Sequence, residues 1–222
     1  MKDTVRNIFA IADLRNRVLY TFGLLAVFRI GANIPIPGVN SQAILEFFNS
    51  QANNFFGLVN LFSGQALSQM TVFALGIMPY ISASIILQLL AVVWPYLEKL
   101  QKEGELGRKK ITNYTRYLTV ALSIIQSIGI SFALEAGGRT AGATSEPFVL
   151  NPGWGFRFMA VLTLTTGTAF LMWLGEQISE RGIGNGISLL IFAGIAVGLP
   201  GGIINTYRQL EVGSLNVFTV LL

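Results

Sequence analysis

The chain has 222 residues, 52% of them hydrophobic and 12% charged, with a formal net charge of +4. Ordinary soluble domains carry roughly 25% charged residues, so a chain this apolar cannot dress a globular surface and falls first in the membrane class. It has neither cysteine nor histidine, which removes disulfides, thiol nucleophiles, imidazole bases and the usual zinc ligands together.

Residues 1–17 are polar and amphipathic, with Lys2, Arg6, Arg15 and Arg17. The first apolar segment follows at 18–35. A basic start before an apolar run also describes a secretory signal peptide. Arg29 inside the run, the lack of an obvious small-residue cleavage site and the further spans downstream argue against that reading. Residues 36–64 are polar to mixed. Within them "FFGLVNLFSG" (Phe55–Gly64) is apolar but too short to cross about 30 Å of hydrocarbon.

A second span is expected over 71–94, with Pro79 inside it and Pro95 stopping it, followed by a charged loop over 96–116. A third covers 117–134, before a Gly-rich loop at 135–153. A fourth covers 154–174, and a fifth covers 183–199 with Pro200 as its stop. Residues 215–222 begin another apolar run. As a helix those eight residues reach about 12 Å, well short of the bilayer core. They are expected to be the start of a sixth span behind an external loop, in a chain that is the first part of a longer one.

Lys/Arg placement sets the orientation. Lys2, Arg6, Arg15, Arg17, Lys99, Lys102, Arg108, Lys109, Lys110, Arg116 and Arg181 share one side of a five-span arrangement. Arg139, Arg157 and Arg208 share the other. The positive-inside rule places the N-terminus in the cytoplasm.

"RGIGNGISLLIFAGI" (Arg181–Ile195) sets three glycines at every second position before an apolar run. A dinucleotide fingerprint would need a preceding strand and an acidic residue about twenty positions on, and a P-loop a Gly-Lys-Ser/Thr. The segment before it is a span, the residue twenty after Gly186 is Thr206, and no Gly-Lys follows. The plainer reading is a tight helix entry, with Asn185 as cap. Glu176 and Glu180 sit four apart beside Arg181 and read as a solvated, partly neutralised pair. Ser82, Ser84, Ser123 and Ser127 have no base partner and read as packing or backbone-bonding residues. The charged loop fits headgroup contact and topology first, and as the sharper alternative a docking surface for an acidic or RNA-bearing cytoplasmic partner; composition alone does not separate them.

Isoleucine spacing is informative. Ile187 and Ile191 share a helix face, and Ile77, Ile81 and Ile85 repeat the four-residue step. Pro79 and Gly194 are breakers in these two spans. Spacing alone favours ordinary lipid-facing or packing residues over a hydrophobic constriction that closes a pore by excluding water.

Five stretches resemble the SecY family of bacterial protein-conducting channels: "FRIGANIPIPG" (Phe28–Gly38), "NLFSGQALSQMTVFALGIMPYISASIILQLL" (Asn60–Leu90), "KEGELGRKKITNYTRY" (Lys102–Tyr117), "IQSIGI" (Ile125–Ile130) and "FLMWLGEQISERGIGNGISLLIFAGI" (Phe170–Ile195). The motifs occur in order over essentially the whole chain. The resemblance implies an all-α integral membrane protein, a polytopic helical bundle that is one half of an inverted pseudo-symmetric ten-helix channel. It places a pore ring at Ile77, Ile81, Ile187 and Ile191. A re-entrant plug helix falls at about 55–68, with Phe55, Phe56, Gly57, Leu58, Val59, Asn60, Leu61, Phe62, Ser63 and Gly64 at its heart. Lateral-gate positions match Met78, Ser82, Ile85, Gln88, Leu89 and Gln126, the polar ones paired across helices when closed.

It further implies a passive pore in the bacterial inner membrane, with no enzyme activity and no cofactor. Unfolded secretory polypeptides would pass outward, and signal sequences and apolar segments would leave sideways into lipid. Implied partners are the remaining C-terminal half of SecY, the SecE and SecG subunits, and the SecA ATPase or a ribosome as energy source. The family's main docking loops lie beyond this stretch, so Lys102, Arg108, Lys109, Lys110 and Arg181 are candidates only for an accessory cytoplasmic contact. The competing readings are a secondary transporter or small-ion channel, for which Arg29 is the one charge clearly inside a span, and an intramembrane enzyme, which lacks an acid–base pair here.

Overall fold

The computed structural model describes residues 11–50, 66–140 and 147–211. Seven helices form it: α1 (Ala12–Gly31), α2 (Ser41–Ser50), α3 (Met78–Val93), α4 (Pro95–Lys102), α5 (Glu105–Thr140), α6 (Trp154–Arg181) and α7 (Gly186–Glu211). Among the described residues there is no strand, only the isolated bridges Pro35–Thr71 and Val39–Val149. Backbone bonds from Ile36 to Met70 and from Asn40 to Phe148 stitch the connections 32–40, 66–72 and 147–150 together.

α5 and α6 are long and apolar enough to cross a membrane, and α3 with α4 makes a third such unit if that bent pair is one span. α1, expected as the first span, starts earlier and carries Asp13, Arg15, Arg17 and Arg29, which shorten its apolar stretch; it is not among those helices. The first turn of α2 is capped by the Asn40 carboxamide oxygen, which accepts from the Gln42 and Ala43 amides at 3.2 and 3.4 Å.

Several boundaries differ from expectation, each for a local reason. Residues 72–77 are turns, with Gly76 at φ 56°, and α3 begins only at Met78. Pro79 therefore starts the helix, where its missing N–H would be unpaired anyway, and does not break one. Pro95 does end α3: it holds Trp94 extended (ψ 111°), and α4 leaves at 102° with Pro95 in its first turn. The stretch 96–116 is not a loop. Leu97 and Leu100 are buried on one face of α4, and α5 is already helical from Glu105. Pro200 does not stop the fifth apolar segment, and α7 continues through Gly194 and Pro200 to Glu211. One proline removes one ladder bond, which leaves the remaining bonds of a long membrane helix intact.

Three apolar clusters hold the helices. Ile36, Ile44, Met70, Leu134, Phe148, Phe156 and Leu164 form one between the connections and the ends of α5 and α6. Phe28, Phe73, Ile77, Leu171, Leu174, Ile178 and Leu190 join α1, the turns at 72–77, α6 and α7. Leu87, Ala91, Leu97 and Leu100 pack the α3–α4 elbow. α5 lies between α3 and α6 on a buried hydroxyl stripe, Thr115, Thr119, Ser123, Ser127 and Ser131. The hydroxyls donate back to carbonyls of their own helix, Thr119 to Thr115 at 2.7 Å and Ser123 to Val120 at 2.8 Å. Short side chains with internally satisfied hydroxyls let the backbones approach.

Candidate functional site

The turn at the head of α7 places the first half of the site. Gly184 has φ 72°, a left-handed conformation that glycine adopts without a Cβ clash. The Asn185 carboxamide oxygen accepts from the amides of Ile187 at 3.1 Å and Ser188 at 3.3 Å, so Asn185 caps α7 as its sequence position suggests. Two neighbouring helices close the remaining donors. The Ser179 hydroxyl of α6 accepts from the Gly186 amide at 2.8 Å, and the Thr21 hydroxyl of α1 accepts from Ile183 at 3.1 Å. The glycines thus serve packing and cap geometry: a Cβ on Gly182 would lie 2.5 Å from that Thr21 hydroxyl.

This anchored turn delivers Ile187 and, one turn on, Ile191 to the side of α6 that faces the start of α3. Ile77 is buried there at the mouth of α3, and Ile81, Ile187 and Ile191 pack partly buried against the same cluster. The four isoleucines that the resemblance groups together therefore meet in one apolar junction, whereas Ile85, which shares their spacing, is exposed on α3.

Two cavities meet at this junction. A polar one of about 440 Å³ is lined by Tyr80, Ser84, Thr112, Arg116, Glu176, Ser179, Glu180, Asn185 and Ser188 together with Ile81, Ile85 and Ile187. An apolar one of about 540 Å³ is lined by Phe28, Phe73, Ile77, Met78, Ile81, Leu134, Phe148 and Ile191 among others. Ile187 faces the polar cavity, Ile77 and Ile191 face the apolar one, and Ile81 borders both.

The gate candidates lie mostly along one side of α3. Met78, Ile85 and Leu89 are exposed, at 51%, 51% and 64%, and Ser82 is half-buried. Gln88 donates to the Ser84 hydroxyl at 3.2 Å, one turn back in its own helix, where pairing across helices was expected. Gln126 is half-buried midway along α5. The plug positions Phe55–Gly64 lie outside the described residues. Of the cationic candidates, Lys102 donates to Glu98 at 2.6 Å within α4, Lys110 lies 3.9 Å from Glu103, and Arg108, Lys109 and Arg181 are exposed at helix ends.

Two ion pairs went unforeseen. Arg116 of α5 grips Glu176 of α6 with both forks, Nε to Oε1 at 2.6 Å and Nη2 to Oε2 at 2.8 Å. Glu176 is thus bonded across helices and is not a solvated partner of Glu180. At the other end Arg157 of α6 donates to Glu135 of α5 at 2.6 Å, while Glu135 also accepts from the Gly153 amide at 3.1 Å. The Arg157 guanidinium sits 4.3 Å over the Phe132 ring. The signal that could have found both pairs is opposite charge at matched ends of two consecutive uncharged runs, 117–134 and 158–175.

This fold and site define a class: an all-helical polytopic membrane protein whose helices converge on an apolar junction bordered by two cavities. Known proteins narrow it. The SecY family model matches residues 71–222, and the chain belongs to the SecY family. It is 52% identical to the protein translocase subunit SecY of Escherichia coli K12 over 96% of this chain and 47% of that protein. The SecY subunit of Buchnera aphidicola is also 52% identical, over 96% of this chain and 58% of its own length. That of Aquifex aeolicus is 43% identical over 100% and 51%. The chain therefore spans about half the length of these relatives. Two solved structures share its fold at TM-score 0.58 and 19% identity, each over 91% of this chain and 43% of its own: a protein-conducting channel, and Sec61 in a canine ribosome–channel complex from the endoplasmic reticulum.

Proposed function

We propose that this chain forms one half of a protein-conducting channel, with Ile77, Ile81, Ile187 and Ile191 as its share of the pore constriction. The observation that carries the reading is Ile81 standing between the polar and the apolar cavity, with Ile187 on one side of it and Ile77 and Ile191 on the other. Apolar side chains at such a neck exclude water and ions, yet yield to the varied side chains of an unfolded polypeptide. The relatives' designation as translocase subunits supports the same substrate class.

Unfolded secretory chains would enter through the polar cavity and leave through the apolar one. Signal sequences and apolar segments would leave sideways past Met78, Ser82, Ile85, Gln88, Leu89 and Gln126, because the exposed side of α3 needs another surface to cover it. That surface is the other half of the channel, with SecE and SecG around it. SecA or a ribosome would drive transport from outside, touching Lys102, Arg108, Lys109, Lys110 and Arg181; the segment 55–64 would plug the outer funnel. The setting is the bacterial inner membrane, N-terminus inside, as the lysine and arginine placement indicates.

Ion leak tests the constriction. Replacing Ile187 by Asp in the whole channel should hydrate the neck and raise resting ion conductance of reconstituted vesicles by tenfold or more. Conductance equal to that of the unmodified channel would assign Ile187 to packing instead.

A further inference from the structure

Arg116–Glu176 and Arg157–Glu135 share a geometric relation that the proposed channel role does not require. Arg116 and Glu135 are nineteen positions apart along α5, and Arg157 and Glu176 are nineteen positions apart along α6. The two antiparallel helices are thus tied in one common register, with the charges reversed between ends: arginine on α5 at the inner pair, arginine on α6 at the outer. At 1.5 Å per residue the two ties stand about 28 Å apart, close to the hydrocarbon thickness of a bilayer.

The stretches between them carry no charged residue, neither 117–134 nor 158–175. The large apolar side chains these stretches expose, among them Tyr117, Ile125, Phe132, Phe158, Leu162 and Trp173, all fall between the two levels. Facing inward between the ties are Thr119, Ser123, Ser127 and Ser131 of α5, and Thr165 and Thr168 of α6, whose buried hydroxyls have no partner within the described structure. Such a seam tolerates no slip, because sliding one helix by a turn would break both ion pairs at once.

We propose that the two ion pairs are headgroup-level clamps that fix the α5–α6 hairpin as one rigid stave and set its depth in a bilayer whose hydrocarbon is about 28 Å thick. Arg116 and Arg157 then reach the headgroup level, each holding a more buried carboxylate, Glu176 and Glu135, and the Phe132 and Trp154 rings flank Arg157 at the outer boundary. The partner recognised by this surface is the lipid slab itself.

Two measurements on the whole channel, reconstituted in dioleoylphosphatidylcholine vesicles, test this. Nitroxide labels at single cysteines replacing Tyr117, Ile125 or Phe132 report depth by their relative accessibility to oxygen and to a nickel chelate. The clamps place Ile125 at the midplane, so the ratio should peak there and fall several-fold at both flanking sites. A peak at Tyr117 or Phe132, or equal ratios at all three, would overturn the depth assignment. For the clamps, Arg116→Glu and Glu176→Arg should each lower the thermal midpoint by 5 °C or more, and the double swap should recover at least half of the loss. The same holds for Arg157→Glu with Glu135→Arg. Single variants that melt unchanged, or a double variant that merely adds the two losses, would overturn the clamp role.

Discussion

Gly186 lies directly beneath Gly175: a Cβ built on Gly186 would stand 2.0 Å from the Gly175 carbonyl oxygen, and one on Gly175 would stand 2.4 Å from the Ile187 side chain. The head of α7 and the last turns of α6 touch backbone to backbone, and that contact sets where Ile187 points. Gly186→Ala must push the two helices apart and should destabilise the protein by about 1–3 kcal/mol. Thermal unfolding of the purified protein measures it. Gly184→Ala has open space but a left-handed backbone, so its cost should be about 1–2 kcal/mol of backbone strain without displacement of Ile187.

The Asn185 cap makes a second prediction. Asn185→Ala leaves the Ile187 and Ser188 amides without their carboxamide acceptor and should cost about 1 kcal/mol, whereas Asn185→Asp should restore most of it. Unfolding midpoints of the two variants, compared in the same detergent, distinguish capping from a role in the polar cavity that Asn185 also lines.

A third concerns the α5 seam. Ser127 is fully buried, and its hydroxyl donates to the Ser123 carbonyl of its own helix. Ser127→Ala removes a bond that satisfies only the side chain itself and should be near neutral. Ser127→Leu overfills the interface and should cost about 1–3 kcal/mol. Equal effects of the two substitutions would show that the seam is loosely packed.

The residues that local pattern governs were legible. Isoleucine spacing marked five side chains, of which Ile85 is exposed; it took the family resemblance to single out the four that meet around one junction. The asparagine before an apolar run is the cap of α7. Ser123 and Ser127 bond their own helix's backbone, as short hydroxyl side chains do, while Ser84 accepts from Gln88. Long-range partners were not legible in the same way. Arg116 and Glu176 are 60 residues apart, and each had a nearer charged neighbour to suggest a different pairing. The helical character of 96–116 was hidden by its charge, although Pro95 before an i,i+4 Glu98–Lys102 pair is a helix-start pattern. Prolines misled because one residue type both starts helices, as at Pro79, and is carried inside a long one, as at Pro200. Which of these happens depends on where the turn before it ends, a tertiary matter.

Site-specific crosslinking tests the pore assignment most directly. With single cysteines at Ile81 and Ile191 in the whole channel, a secretory polypeptide arrested midway through translocation and carrying its own cysteine should form disulfide crosslinks at both positions. An arrested chain that crosslinks to other positions of this half but to neither Ile81 nor Ile191 would contradict a translocation path through the isoleucine junction.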